Sequence, residues 1–213
     1  QRADAVTVLS EAGKEEILSL SERKPKARVK IIPNAISPTG SQEMIEEQKD
    51  KTPMLLYPAT ALAHKNHLGL LQATRKLALD GIRFQVIMTG SRIEEIGGNE
   101  PVDNATVETA RKYYIEHQEV LSKMVSFRTA RDSDELAQLY REAHRVILPT
   151  KYEGFGLPLL EAISHGTRVL CSKIPQFREQ VDRYHCQSWV KFFDGNDPNS
   201  IAGSIKEALI EPE

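Results

Sequence analysis

From residue 53 onward, short apolar runs alternate with stretches in which apolar residues return every third or fourth position. Runs at 54–57, 84–88, 125–127, 146–148 and 169–171 have the length of buried strands. Between them, Leu70, Ala73 and Leu77 keep one face of a helix apolar, and Ala137, Tyr140 and Ala143 do the same beside Leu136 and Leu139 in a later one. Strands that alternate with helices predict the α/β class, with right-handed crossovers and a parallel sheet covered by helices on both faces.

The first part of the chain reads differently. Residues 5–9 form an apolar run that predicts a buried strand, Ser10 reads as a helix N-cap, and residues 28–32 predict a second strand that stops at Pro33-Asn34. This segment is too small to hold a core of its own. Residues 36–52 carry Ser, Pro, Gly and many charges with little apolar period, which marks a linker. The expected division is therefore 1–35, 36–52 and 53–213, one full domain preceded by a fragment. Gln1 is not an initiator methionine and no signal-like apolar core follows it, so the start reads as a cut inside a longer protein.

Lys and Arg number 28 against 30 Asp and Glu, a balance that argues against a general nucleic-acid or anionic-membrane surface and for a small, local ligand site. The two cysteines, Cys171 and Cys186, are too few for a disulfide framework and point to a reducing cytoplasm. The longest apolar run, residues 53–63, carries two prolines and falls short of the roughly 20 residues of a membrane span.

The chemistry concentrates after the run at 146–148, where Glu153-Gly-Phe-Gly-Leu-Pro-Leu-Leu-Glu161 places a glycine loop, a helix start and two carboxylates at a strand end. In parallel sheets ligands bind at the carboxyl ends of strands. Gly154, Phe155, Gly156 and Leu157 form the loop. Pro158 suits the first helical position, leaving the amides of Gly156 and Leu157 to point outward as anion donors for a diphosphate. Glu153 and Glu161 would repel that diphosphate. They make sense as acceptors for neutral hydroxyls on either side of it, which the diols of a ribose and a hexose supply.

With EGFGLPLLEA at 153–162, IIPNAI at 31–36, HKNH at 64–67 and the spacing of residues 134–158, the sequence resembles the retaining glycosyltransferases of the B-type fold, family four in particular. The resemblance implies a Rossmann-like, C-terminal donor-binding half of that fold. It implies Glu161 on the nucleotide ribose, Glu153 facing the donor sugar near its anomeric centre, and Lys65 on the diphosphate as the leaving-group cation. The donor implied is a nucleoside diphosphate sugar, GDP-mannose or a UDP-hexose with a slight lean to mannose, without metal. The acceptor implied is a saccharide or lipid-linked hydroxyl bound through an N-terminal domain, in polysaccharide biosynthesis, with the protein cytoplasmic or peripheral at the inner face of the membrane. Two departures stand out. Many relatives carry an arginine where this chain has Ala59, leaving His64 or Arg128 as substitute cations, and Arg128-Thr129 replaces a glycine after the strand at 125–127. Residues 92–124, with a helical run at 109–121, exceed the minimal family unit.

Rival readings are weaker. Asp132-Ser-Asp134 has the form of a metal-binding D-x-D but precedes a helix, where a cap is expected. Gly154-Phe-Gly156 lacks the third glycine of a dinucleotide fingerprint. His64 and His67 lack a third metal ligand nearby in sequence. Within the same fold, a catalytically degenerate sugar-nucleotide-binding module, an epimerase or a phosphorylase are the alternatives.

Overall fold

The computed structural model describes residues 4–20, 28–36, 52–130 and 132–210. Most of residues 36–52, the expected linker, lie outside this set. Residues at the start form a parallel pair, β1 (Ala5–Val8) and β2 (Arg28–Ile31), joined through helix α1 (Glu11–Leu20). The expected buried strand is in fact mostly open: Val8 alone is buried in β1, and α1 buries none of its residues. Too few described neighbours cover it.

The main sheet holds six parallel strands: β3 (Met54–Pro58), β4 (Gln85–Thr89), β5 (Val125–Phe127), β6 (Arg145–Leu148), β7 (Val169–Ser172) and β8 (Val190–Phe193). Their spatial order is β5-β4-β3-β6-β7-β8. Side chains two apart along a strand share a face, so each strand feeds two cores. Leu55, Tyr57, Val86, Met88, Ile147 and Leu170 face one of them; Leu56, Ile87, Val146, Leu148, Val169 and Cys171 face the other. On the first face lie α2 (His67–Leu79), α3 (Glu94–Gly97), α4 (Ala105–Glu116), α5 (Gln118–Leu121) and the last helix. On the second lie α6 (Ser133–Glu142), α7 (Leu157–Ser164) and α8 (Pro175–Arg183); the last helix is α9 (Pro198–Ile210). Leu70, Ala73 and Leu77 are all buried, as the helical period predicts. The run expected at 109–121 is instead two helices broken at His117, and the first begins earlier, where Asn104 caps it by accepting from Thr106 and Val107.

This strand order has a functional consequence. From β3 the chain runs outward through β4 and β5, then returns to the opposite side of β3 as β6. Connections therefore leave β3 and β6 in opposite directions, opening a crevice at their carboxyl ends, the place where ligands bind in such sheets.

Candidate functional site

Two loops meet in this crevice, one after β3 and one after β6, and they are stitched together by polar contacts. The His64 carbonyl accepts from the Lys151 amide at 2.8 Å, and the Thr150 hydroxyl lies 3.0 Å from the same oxygen. The Tyr57 hydroxyl donates to the Lys65 carbonyl; burial and the charge of Glu153 push its pKa well above the usual value, so it keeps its proton. Between the loops, Lys65 Nζ donates to Glu153 Oε1 at 2.6 Å, with both side chains largely buried at 14% and 10% exposure.

Asn66 sits at the N-cap position of α2 in the left-handed region, φ 61°, but its side chain does not cap the helix. Its amide donates instead to Pro149 O at 3.0 Å and Gly195 O at 2.7 Å, tying the β3 loop to those after β6 and β8. A Cβ on Gly69 would stand 2.7 Å from Asn66 Nδ2, so that glycine leaves room for the amide. Asn66→Asp would aim a carboxylate at two carbonyls in a buried site. We expect a loss of about 3 kcal/mol or more and a melting temperature lower by roughly 6–12 °C in a thermal denaturation scan; an unchanged melting temperature would remove Asn66 from this role.

The glycine loop is held from behind by α8. Gln180 Nε2 donates to the Phe155 carbonyl, and Phe177 packs where a side chain on Gly156 would have to go. Gly156 precedes α7 at φ 89°, a conformation suited to glycine, and Leu157 is the first helical residue with Pro158 second, one place later than expected. The Gly156 and Leu157 amides donate to no described group, leaving the start of α7 open to an anion. Gly154 is exposed, and a Cβ there would meet nothing within 4 Å, so open space adjoins the loop.

Glu161 lies one turn into α7, about 6 Å along the axis from Leu157, and its Oε2 accepts from the Tyr140 hydroxyl at 2.7 Å. His64 touches Tyr152 edge-on at 6.3 Å; burial, then the charge of Lys65, lowers its pKa, which favours the neutral ring over the cation proposed for it. Arg128 is exposed at the end of β5, two strands from β3 and so about 10 Å across the sheet. The structure thus joins Lys65 to Glu153, three residues before Gly156 in the same loop, while Arg128 follows the edge strand β5. His67 is a core residue against Tyr57, its pKa lowered to about 3 by burial first and then by Lys65 and His64. Asp132 caps α6, accepting from the amides of Asp134 and Glu135.

Residues near the start of the chain also reach the glycine loop. The Ser10 hydroxyl lies 3.4 Å from Gly154 O, Tyr152 donates to Glu16 at 2.9 Å, and the Glu179 carboxylate accepts from the amides of Glu11 and Ala12 at the start of α1. None of these contacts, nor those of Asn66, Tyr140 and Gln180, was legible in sequence, since each joins residues far apart. Gly69, a glycine on a buried helix face three residues after Asn66, was the one local sign.

A family model described as glycosyl transferases group 1 matches residues 41–213. The chain belongs to that family. Among similar proteins is the O-antigen chain mannosyltransferase B of Escherichia coli, 31% identical over 156 residues, 72% of this chain and 36% of the relative. An uncharacterized glycosyltransferase of Methanocaldococcus jannaschii is 25% identical across 96% of this chain and 50% of its own length. The chain spans about a third to a half of these relatives. In fold it matches sucrose-phosphate synthase from Thermosynechococcus elongatus with a TM-score of 0.71 at 23% identity, over 99% of this chain and 50% of that one. The group 1 glycosyl transferase chain thus has the α/β sheet of the B-type fold. No described helix is long and apolar enough to cross a membrane.

Proposed function

We propose that this chain is the donor-binding part of a retaining hexosyltransferase of family four, which moves a hexose, with mannose favoured, from a nucleoside diphosphate sugar to an acceptor hydroxyl. The observation that carries the reading is the Lys65–Glu153 pair at the strand switch point, with Glu153 in the same loop as the unengaged amides at the start of α7. A diphosphate entering there takes over Lys65 and the Gly156 and Leu157 amides, and Gly154 leaves it room. Glu153, released, accepts from a hydroxyl of the sugar, and Glu161 accepts from the ribose diol. As the bond between anomeric carbon and phosphate oxygen breaks, its electron pair stays on the diphosphate, the acceptor hydroxyl oxygen bonds the anomeric carbon, and the hydroxyl proton passes to the departing diphosphate. The ammonium and the positive end of α7 stabilise that charge in place. Retention rests on the resemblance of the E-x7-E segment, and mannose is supported by the mannosyltransferase relative.

We assign the acceptor contacts to the part of the longer relatives that this chain does not match. The exposed Leu18, Leu20 and Ile32 on the α1 and β2 unit are suited to packing against such a region. The isolated chain is therefore expected to bind nucleotide and to turn over poorly. Ala59 favours a second reading, a sugar-nucleotide-binding module without transfer. It is buried at 6%, and a Cβ on Gly90 would lie 2.5 Å from its carbonyl, so the two backbones already touch there. A longer form that binds nucleotide yet neither transfers nor hydrolyses the donor would favour that module.

A thermal-shift panel of GDP, UDP, ADP and TDP with their sugars tests the reading. The cognate ligand at about 100 times its dissociation constant adds about 2.7 kcal/mol, which raises the melting temperature by roughly 5–10 °C. No shift with any of the panel would contradict it.

A further inference from the structure

We propose that Tyr140 is the positioning residue that makes this site select ribose: by holding one oxygen of Glu161 it aims the other at the sugar diol of the nucleotide. The inference rests on the assignment of Glu161 to the ribose.

A glutamate on a helix surface is free to sample many rotamers, and ordering it costs conformational entropy. Here that freedom is removed by three separate parts of the second helical layer. Tyr140 comes from α6, and its hydroxyl stands 2.7 Å from Glu161 Oε2. The ring is 1% exposed and stacks on His165, at the end of α7, with centroids 5.3 Å apart and planes 11° from parallel. Its carbonyl accepts from the Thr167 hydroxyl at 2.5 Å, in the turn that leads to β7. Ring, hydroxyl and backbone of one residue are thus fixed at once.

The chemistry has one direction. A carboxylate only accepts, so the phenol must donate, and in doing so it occupies one lone pair of Oε2. Oε1 accepts from no described side chain and keeps its accepting capacity, with Glu161 half-buried on α7. A vicinal diol has two donors to offer it. Burial, and then the negative charge of Glu161, push the Tyr140 pKa well above its usual value, so the phenol remains a donor throughout the working pH range. A deoxyribose leaves the fixed oxygen without its partner, and a carboxylate that cannot swing away has no way to recover the loss.

Binding of GDP and UDP, and of their 2′-deoxy and 3′-deoxy counterparts, to wild-type chain, Tyr140→Phe and Glu161→Ala tests this by calorimetry. Wild type should prefer the ribonucleotide by about tenfold, or 1.4 kcal/mol. Tyr140→Phe should narrow that preference to about twofold, by weakening the ribonucleotide while leaving the deoxy forms nearly unchanged. In Glu161→Ala the preference should vanish, and adding Tyr140→Phe should change nothing further. A full preference retained in Tyr140→Phe, or equal weakening of ribo and deoxy forms, would overturn the proposal by reducing Tyr140 to a packing role. A wild type without any preference would instead fault the ribose assignment of Glu161, and the proposal with it.

Discussion

Lys65→Ala should weaken nucleoside diphosphate binding by about 100-fold, near 3 kcal/mol, whereas Glu153→Gln should strengthen it by about threefold or more. The opposite signs follow from one contact. In the free protein Lys65 Nζ and Glu153 Oε1 satisfy each other at 2.6 Å in a largely buried crevice. A diphosphate must displace the carboxylate to reach the ammonium, so the pair is both a resting partner for the lysine and a competitor of the ligand. Removing the lysine removes the ligand's cation. Removing the negative charge of Glu153 removes the competitor and the repulsion it exerts on the diphosphate. Because Glu153 also serves the sugar, Glu153→Gln should shrink the affinity gain that the sugar adds over the bare diphosphate.

Lys65→Ala has a second effect, on stability. It leaves the Glu153 carboxylate 10% exposed and without its cation, a situation that costs about 3 kcal/mol. Lys65→Met with Glu153→Gln should recover that loss without recovering nucleotide binding. Calorimetric titration and thermal denaturation of the single and paired variants separate the two effects. Equal weakening of diphosphate binding by Lys65→Ala and Glu153→Gln would contradict the displacement.

Gly156→Ala and Gly154→Ala should differ as sharply. At Gly156 the backbone has φ 89° and a Cβ would lie 2.5 Å from Phe177 Cε1 and 3.1 Å from its Cδ1. Left-handed strain and overpacking against a buried ring together cost about 2–5 kcal/mol. Gly156→Ala should therefore lower the melting temperature by roughly 5–15 °C. At Gly154 a Cβ meets nothing within 4 Å. Gly154→Ala should leave the melting temperature within about 2 °C of wild type while weakening nucleotide binding, because the space it fills is the space the diphosphate needs. A Gly154→Ala variant that binds nucleotide normally would move the ligand off this loop.

The fold was legible where it depends on local repetition. Alternation of apolar runs with helical periods gave the parallel sheet, and the two-residue period within each run explains why Leu55 and Leu56 serve different cores. The glycine loop, the α7 start and the Asp132 cap could also be read locally, since capping and left-handed backbone depend on a few adjacent residues. Pairings over long chain distances could not. Lys65 and Glu153 meet because β3 and β6 are neighbours, which is a property of strand order. Asn66 Nδ2 donates to Pro149 O and Gly195 O, residues 83 and 129 positions away, which only the fold brings together. Tyr140 reads as a core aromatic, and its ring is one; only the fold shows that its hydroxyl ends on Glu161.

A structure of this chain with a bound nucleoside diphosphate would show the displacement itself. We expect Lys65 Nζ drawn away from Glu153 and onto the diphosphate, the phosphate oxygens facing the Gly156 and Leu157 amides, and the ribose on Glu161. A nucleotide bound elsewhere on the sheet, with Lys65 and Glu153 still joined at 2.6 Å, would contradict it.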